Sequence, residues 1–181
     1  MLWLGHIALG YLTSMLFLFL FGTDFSTNQA NLTTLVVIVS ALIPDLDAIY
    51  FYFKFKSLRY QKKVSHRNWI SHAPFLYLLI GLFFYFLFNG SVYSYIGLAF
   101  IFGSFSHFIA DSIEYGVMWF YPFSGKKYSL KNAPPDSFLF YRKDKSSLRY
   151  YWDLLTKVYM KGATFYVEII AVVLALVLLF A

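Results

Sequence analysis

Ser106-His107-Phe108-Ile109-Ala110-Asp111 closes an apolar run that extends from residue 92 to residue 111, and the fold turns on how that run is read. A stretch of about 20 predominantly apolar residues is the length of a membrane-crossing helix. A histidine and an aspartate four residues apart fall on one face of such a helix, one turn from each other. In a soluble helix the pair would mean little. In a membrane helix an aspartate costs about 2.5–3.5 kcal/mol near the centre of the span on insertion scales, and such groups are kept where they face a partner or a function.

Outward from this run the same texture recurs. The chain has 181 residues, of which 60% are hydrophobic, 23% aromatic and 13% charged. Soluble domains hold about 45–50% apolar and about 25% charged residues. Apolar runs at residues 2–22, 32–53, 69–88, 92–111 and 163–181 predict about five transmembrane helices. The expected fold is an all-α, polytopic membrane helical bundle forming a single domain over residues 1–181. The first run has no Lys or Arg before it and is too long for a signal-peptide core, so it is expected to be retained. The second is interrupted near its end by Pro44-Asp45-Leu46-Asp47. Beyond Asp111, Gly116 and Pro122 argue against a straight continuation and predict a bent or interfacial segment up to Phe123. The chain has no cysteine, which excludes disulfides, thiolate nucleophiles and Cys-type zinc sites.

The net charge of +6 is distributed unevenly. All fifteen Lys and Arg fall within residues 54–67 or 126–161. With five spans, both regions lie on one side of the membrane. The positive-inside rule then puts them and the N-terminus in the cytoplasm, with the C-terminus outside, in the cell inner membrane. Basic residues so placed are membrane anchors, and no dedicated basic element points to nucleic acid. Within the long loop at residues 124–162, Leu148, Trp152, Leu155 and Tyr159 recur at helical spacing, with Arg149, Lys157 and Lys161 off the stripe. The pattern predicts a helix lying on the inner leaflet or packed on the protein's own cytoplasmic face.

On that topology the histidines and three aspartates converge. His6 sits one turn into the first span, and Asp45 and Asp47 lie in the cytoplasmic third of the second. His66 ends the first basic loop, His72 is a turn into the third span, and His107 and Asp111 close the fourth. Each signal alone has a bland reading: a single histidine can bridge two helices, and an Asp-x-Asp can be a solvated cap. Together they place His and Asp side chains from four helices at one depth of one leaflet. Imidazole and carboxylate are ligands for zinc, manganese or iron, and two neighbouring ions would need about this many groups. Pro44 bends the second span and turns both acids inward. Arg67, beside His66, is placed to hold a phosphate bidentately. Glu114, near Asp111, is open between a ligand, a general base and a surface acid.

These motifs resemble the YdjM-like inner-membrane proteins, regarded as membrane-bound metal-dependent hydrolases. The pattern comprises His6-Ile7-Ala8-Leu9-Gly10, Pro44-Asp45-Leu46-Asp47, His66-Arg67-Asn68-Trp69-Ile70-Ser71-His72, His107-Phe108-Ile109-Ala110-Asp111, and Gly116 through Pro122-Phe123-Ser124. Glu114 stands where the family tends to have a Thr. The ligand order is also similar, more distantly, to the zinc phospholipase C and P1 nuclease group, whose closing His-x-x-x-Glu has no counterpart after His107.

The resemblance implies an enzyme, a metal-dependent hydrolase with no settled substrate; a site at headgroup depth at the cytoplasmic interface favours an ester or phosphoester of a lipid or lipid-linked headgroup. His6, Asp45, Asp47, His66, His72, His107 and Asp111 would hold one or two divalent ions, zinc foremost, with manganese or iron as alternatives. Asp45, Asp111, Arg67 and Glu114 are the candidates for catalysis. Intramembrane His and Asp also build ion paths, so an ion- or proton-coupled transporter is one alternative, and an anchor with a structural metal is another.

Overall fold

The computed structural model describes residues 1–55, 69–89, 91–131 and 147–180. Within them the chain is all-helical apart from one isolated β-bridge. Helix α1 covers Trp3–Phe21, and α2 covers Thr27–Leu42. Ser26 and Gln29 form a capping box at the start of α2, where the Gln29 side-chain oxygen accepts the Ser26 N–H at 2.8 Å. Pro44 cannot continue the α-ladder, so α2 tightens into a 3₁₀ turn at Ile43–Leu46 before α3, Asp47–Phe55. That turn buries both Asp45 and Asp47, as the sequence led us to expect.

The expected span at residues 69–88 is divided. A 3₁₀ turn at Ile70–His72 and an extended Ala73 (φ −102°, ψ 111°) precede α4, Pro74–Leu87. Proline disfavours the helical region for the residue before it and is itself well placed at a first helical position, which explains the break at Ala73. Helix α5 covers Ser94–Asp111, α6 covers Ser147–Lys157 inside the expected amphipathic stretch, and α7 covers Ala163–Phe180.

Among the described residues, three segments are long and apolar enough to cross a membrane: Trp3–Phe21, Thr27–Tyr50 and Ala163–Phe180. Helix α4, with 14 residues, extends only about 21 Å at 1.5 Å per residue, short of a hydrocarbon core of about 30 Å. The outward faces suit lipid: Ile169, Ile170, Val173, Leu174 and Val177 of α7 are all exposed.

Helix α5 is the centre of the packing, touching α1, α2 and α4, while α1 also packs on α2 and α7. Lipid is as apolar as leucine, so membrane helices associate through close contacts between small residues. Gly103 of α5 lies against α2, where an added Cβ would stand 2.9 Å from the Val37 carbonyl carbon and closer still to the Ser40 hydroxyl. Phe17, Val37 and Ala99 form one buried cluster in the half of the bundle away from Asp111. Tyr77, Phe108 and Val117 form a second, flanked by Trp119.

After Asp111 the chain bends as expected. Gly116 adopts φ 78°, and Val117 and Tyr128 exchange backbone hydrogen bonds of 3.0 Å each. Leu130 N–H donates to Ser112 O at 2.7 Å, and Trp119 Nε1 donates to the Ser112 hydroxyl at 2.8 Å. This folded-back segment closes the second cluster beneath the end of α5.

Because Gly103 has no room for a side chain, Gly103→Leu is expected to destabilise the bundle by about 1–3 kcal/mol through overpacking. Thermal unfolding in detergent measures it, and an unchanged midpoint would show that α2 and α5 do not depend on this contact.

Candidate metal centre

Each helix that enters the site does so at an end. His6 lies in the first turn of α1, Asp45 in the 3₁₀ turn after α2, His72 at the close of the turn before α4, and His107 and Asp111 in the last two turns of α5. All are buried, and His6, His107 and Asp111 are wholly inaccessible.

The tautomers follow from the partners. His107 Nδ1 lies 2.9 Å from the Ala41 carbonyl, which can only accept, so Nδ1 carries the proton and Nε2 presents a lone pair. His72 Nδ1 lies 2.9 Å from Asp47 Oδ2, and an ionised carboxylate likewise only accepts. The Ser71 hydroxyl donates to the same Asp47 oxygen at 2.5 Å. Both imidazoles are thus locked with Nε2 turned to one point, in the way that a carboxylate or carbonyl orients a metal-binding histidine.

At that point stand two carboxylates. Asp45 Oδ1 is 3.5 Å from His72 Nε2 and 3.8 Å from His107 Nε2, and Asp111 Oδ2 is 3.8 Å from His107 Nε2. These separations are too long for good hydrogen bonds. Ligands at about 2.1 Å from a common tetrahedral ion stand roughly 3.4 Å apart. One ligand atom from each of Asp45, His72, His107 and Asp111 lies within 4.8 Å of all the others, so the four form a group able to hold a metal ion. His107 Nε2 has no hydrogen-bond partner among the described residues. Leaving such a buried group unmade costs about 1–3 kcal/mol, which coordination would offset. The donor set of two imidazoles and two carboxylates, without sulfur, fits a divalent transition metal.

His6 completes the enclosure. Its ring stacks on that of His107 with centroids 3.9 Å apart and an interplanar angle of 20°. Its Nε2 is 3.7 Å from Asp111 Oδ1 and 3.8 Å from Asp45 Oδ2. Asp111 Oδ1 also accepts a 2.8 Å hydrogen bond from the Met1 amino group.

The family model of the YdjM inner membrane protein matches the chain over residues 1–181. The chain belongs to the YdjM inner membrane protein family. No curated protein and no solved structure matches it.

In this YdjM-family chain the structure brings together His6, Asp45, Asp47, His72, His107 and Asp111 of the residues singled out from the sequence. His66 and Arg67 lie outside the described residues. Asp47, expected as a ligand, stands behind His72 rather than within the group of four. Glu114 is turned to another use. Its Oε1 accepts from Ala163 N–H at 2.7 Å, and its Oε2 accepts from the Thr164 hydroxyl at 2.5 Å and from Thr164 N–H at 3.3 Å. It caps α7 from another part of the chain, satisfying donors that a helix start leaves open and matching the helix dipole. Burial opposes its ionisation, but the hydrogen bonds from Thr164 and Ala163 and the charge of Lys131 outweigh this and hold its carboxyl below the usual glutamate value.

Glu168 is the functional neighbour that the sequence reading passed over. This buried acid of α7 accepts from Leu2 N–H at 3.1 Å, from Gly5 N–H at 3.2 Å and from the Tyr159 hydroxyl. It caps α1 just before His6 and so fixes the turn that carries it. The signal was available: Glu168 is the lone acid in an otherwise apolar span.

Two predictions follow from these partners. Asp47→Asn removes the carboxylate that orients His72 and is expected to weaken metal affinity about 10–100-fold, read by competition with a chelator; an unchanged affinity would assign Asp47 no part in the centre. Glu114 stabilises the fold fully above the unfolded carboxylate value of about 4.3, and the benefit disappears as pH falls through its lowered folded value. Glu114→Gln should therefore unfold earlier than wild type at neutral pH, with the difference closing in acid. A difference independent of pH would show that its charge is not what caps α7.

Proposed function

We propose that this chain is a membrane-bound metal-dependent hydrolase that cleaves an ester or phosphoester of a lipid or lipid-linked headgroup. The observation that carries this reading is the group formed by Asp45, His72, His107 and Asp111, with both Nδ1 atoms held by oxygen and both Nε2 atoms turned to the carboxylates. Zinc is the ion we favour for one or two positions, because it takes imidazole and carboxylate without demanding a particular geometry. A bound ion lowers the pKa of a coordinated water to about 7 and polarises the scissile group.

The protein's own residues do the rest. His72 and His107 are oriented by Asp47 and the Ala41 carbonyl. We assign the role of proton acceptor to one of the carboxylates that face the imidazole Nε2 atoms, Asp45 or Asp111. In the hydrolysis a water oxygen bonds to the acyl carbon or phosphorus and the ester C–O or P–O bond breaks. The water's proton passes through the carboxylate to the departing alkoxide. Arg67, one residue past His66, would orient an anionic oxygen of the substrate.

A lipid substrate is supported by the surroundings. Leu46, between the two aspartates, and Ile70, two residues before His72, are exposed, so apolar surface runs up to the ligands from outside. The clustering of bases on the same side supports a cytoplasmic site. A carrier would need a polar track through the other half of the bundle. There the buried hydroxyls of Ser14, Ser40 and Ser104 donate to carbonyls of their own helices.

Purified protein is expected to retain a transition metal, to lose most of it in His107→Ala, and to hydrolyse at least one member of a lipid phosphoester panel. Asp111→Asn should abolish turnover while inserting normally into membranes. Metal-free wild-type protein would end this reading, and turnover unaffected by Asp111→Asn would show that the group of four does not carry the hydrolysis.

A further inference from the structure

Asp45 and Asp111 each have two oxygens, and the oxygens face different histidines. Asp45 Oδ1 and Asp111 Oδ2 lie on the side of His107 and His72, at 3.5–3.8 Å. Asp45 Oδ2 and Asp111 Oδ1 lie on the side of His6, at 3.8 and 3.7 Å. The second side repeats the spacing of the first. Neither ring nitrogen of His6 has a hydrogen-bond partner among the described residues, although the side chain is wholly buried. An imidazole in that position bears the full cost of its lost hydration unless something else binds it.

We propose that the site holds two ions, the second carried by His6 Nε2, Asp45 Oδ2 and Asp111 Oδ1, with both carboxylates bridging. This deepens the metal-centre reading above and rests on it. The stacked rings set the scale: His6 and His107 lie 3.9 Å apart with nearly parallel planes, and the ions of two-metal sites stand about 3.5–4 Å apart. Imidazoles stacked in this way, both with Nε2 toward the carboxylates, deliver one lone pair to each of two positions at that spacing. The second position already attracts a cation, since the Met1 amino group lies 2.8 Å from Asp111 Oδ1. An ion there competes with that group and is the more weakly held of the two. Two divalent ions exceed the charge of Asp45, Asp47 and Asp111 by one, which an anionic phosphoester oxygen would neutralise.

Manganese loading of the purified, detergent-solubilised protein tests this without reference to activity. Wild type is expected to bind about two Mn²⁺ per chain and to show the electron paramagnetic resonance of an exchange-coupled pair. His6→Gln should lose about half of the bound manganese and show the hyperfine pattern of an isolated ion. Wild type with one isolated ion per chain would overturn the second site and leave the first standing. Wild type with no bound ion would overturn both readings. Coupled ions retained at full occupancy in His6→Gln would overturn the assignment of His6. The wild-type spectrum decides between one ion and two even where the variant does not fold.

Discussion

Asp45 and Asp111 face each other's histidines at the ends of apolar helices, and the cost of keeping two carboxylates there governs the rest of the structure. Neither acid is tolerable in such surroundings without compensation. The compensation comes from three separate elements, and each element is fixed in turn by something else. Glu168 holds the start of α1, the Ala41 carbonyl holds His107, and Asp47 with Ser71 holds His72. The order of this end of the molecule is a consequence of charges that must be answered.

The remaining half of the bundle supplies position. Small residues let α5 lie directly on α2 and α4, so that His107 reaches the carbonyl of Ala41 and the ring of His6. Aromatic side chains around Phe17 and Phe108 fill the space between these contacts. A bundle built on bulky side chains would keep the same helices but hold them too far apart for the histidines to share two carboxylates.

The acids of this chain divide by what answers them. Asp45 and Asp111 face imidazoles and can share an ion with them. Glu114 and Glu168 face backbone N–H groups at the starts of α7 and α1 and act as caps. A carboxylate's chemistry is thus decided by its neighbours, which explains why Glu114 looked like a catalytic candidate from the chain and Glu168 did not attract notice.

By itself, the sequence determined the helical class, the membrane character and most of the residues that meet in the candidate metal centre. Those follow from local quantities: the length of an apolar run, the helical repeat that pairs His107 with Asp111, and the penalty on an acid within such a run. Pro44 marked where α2 would give way to a 3₁₀ turn, whereas the break before α4 was hidden inside one continuous apolar stretch. Only the tertiary structure decided which nitrogen of each histidine faces which oxygen, that Asp47 stands behind His72, and that Glu114 caps α7. These depend on contacts between residues far apart in the chain, from 25 positions for His72 and Asp47 to 66 for His107 and Ala41 and beyond for His6 and Asp111. Separation along the chain carries no information about such contacts until the helices have packed.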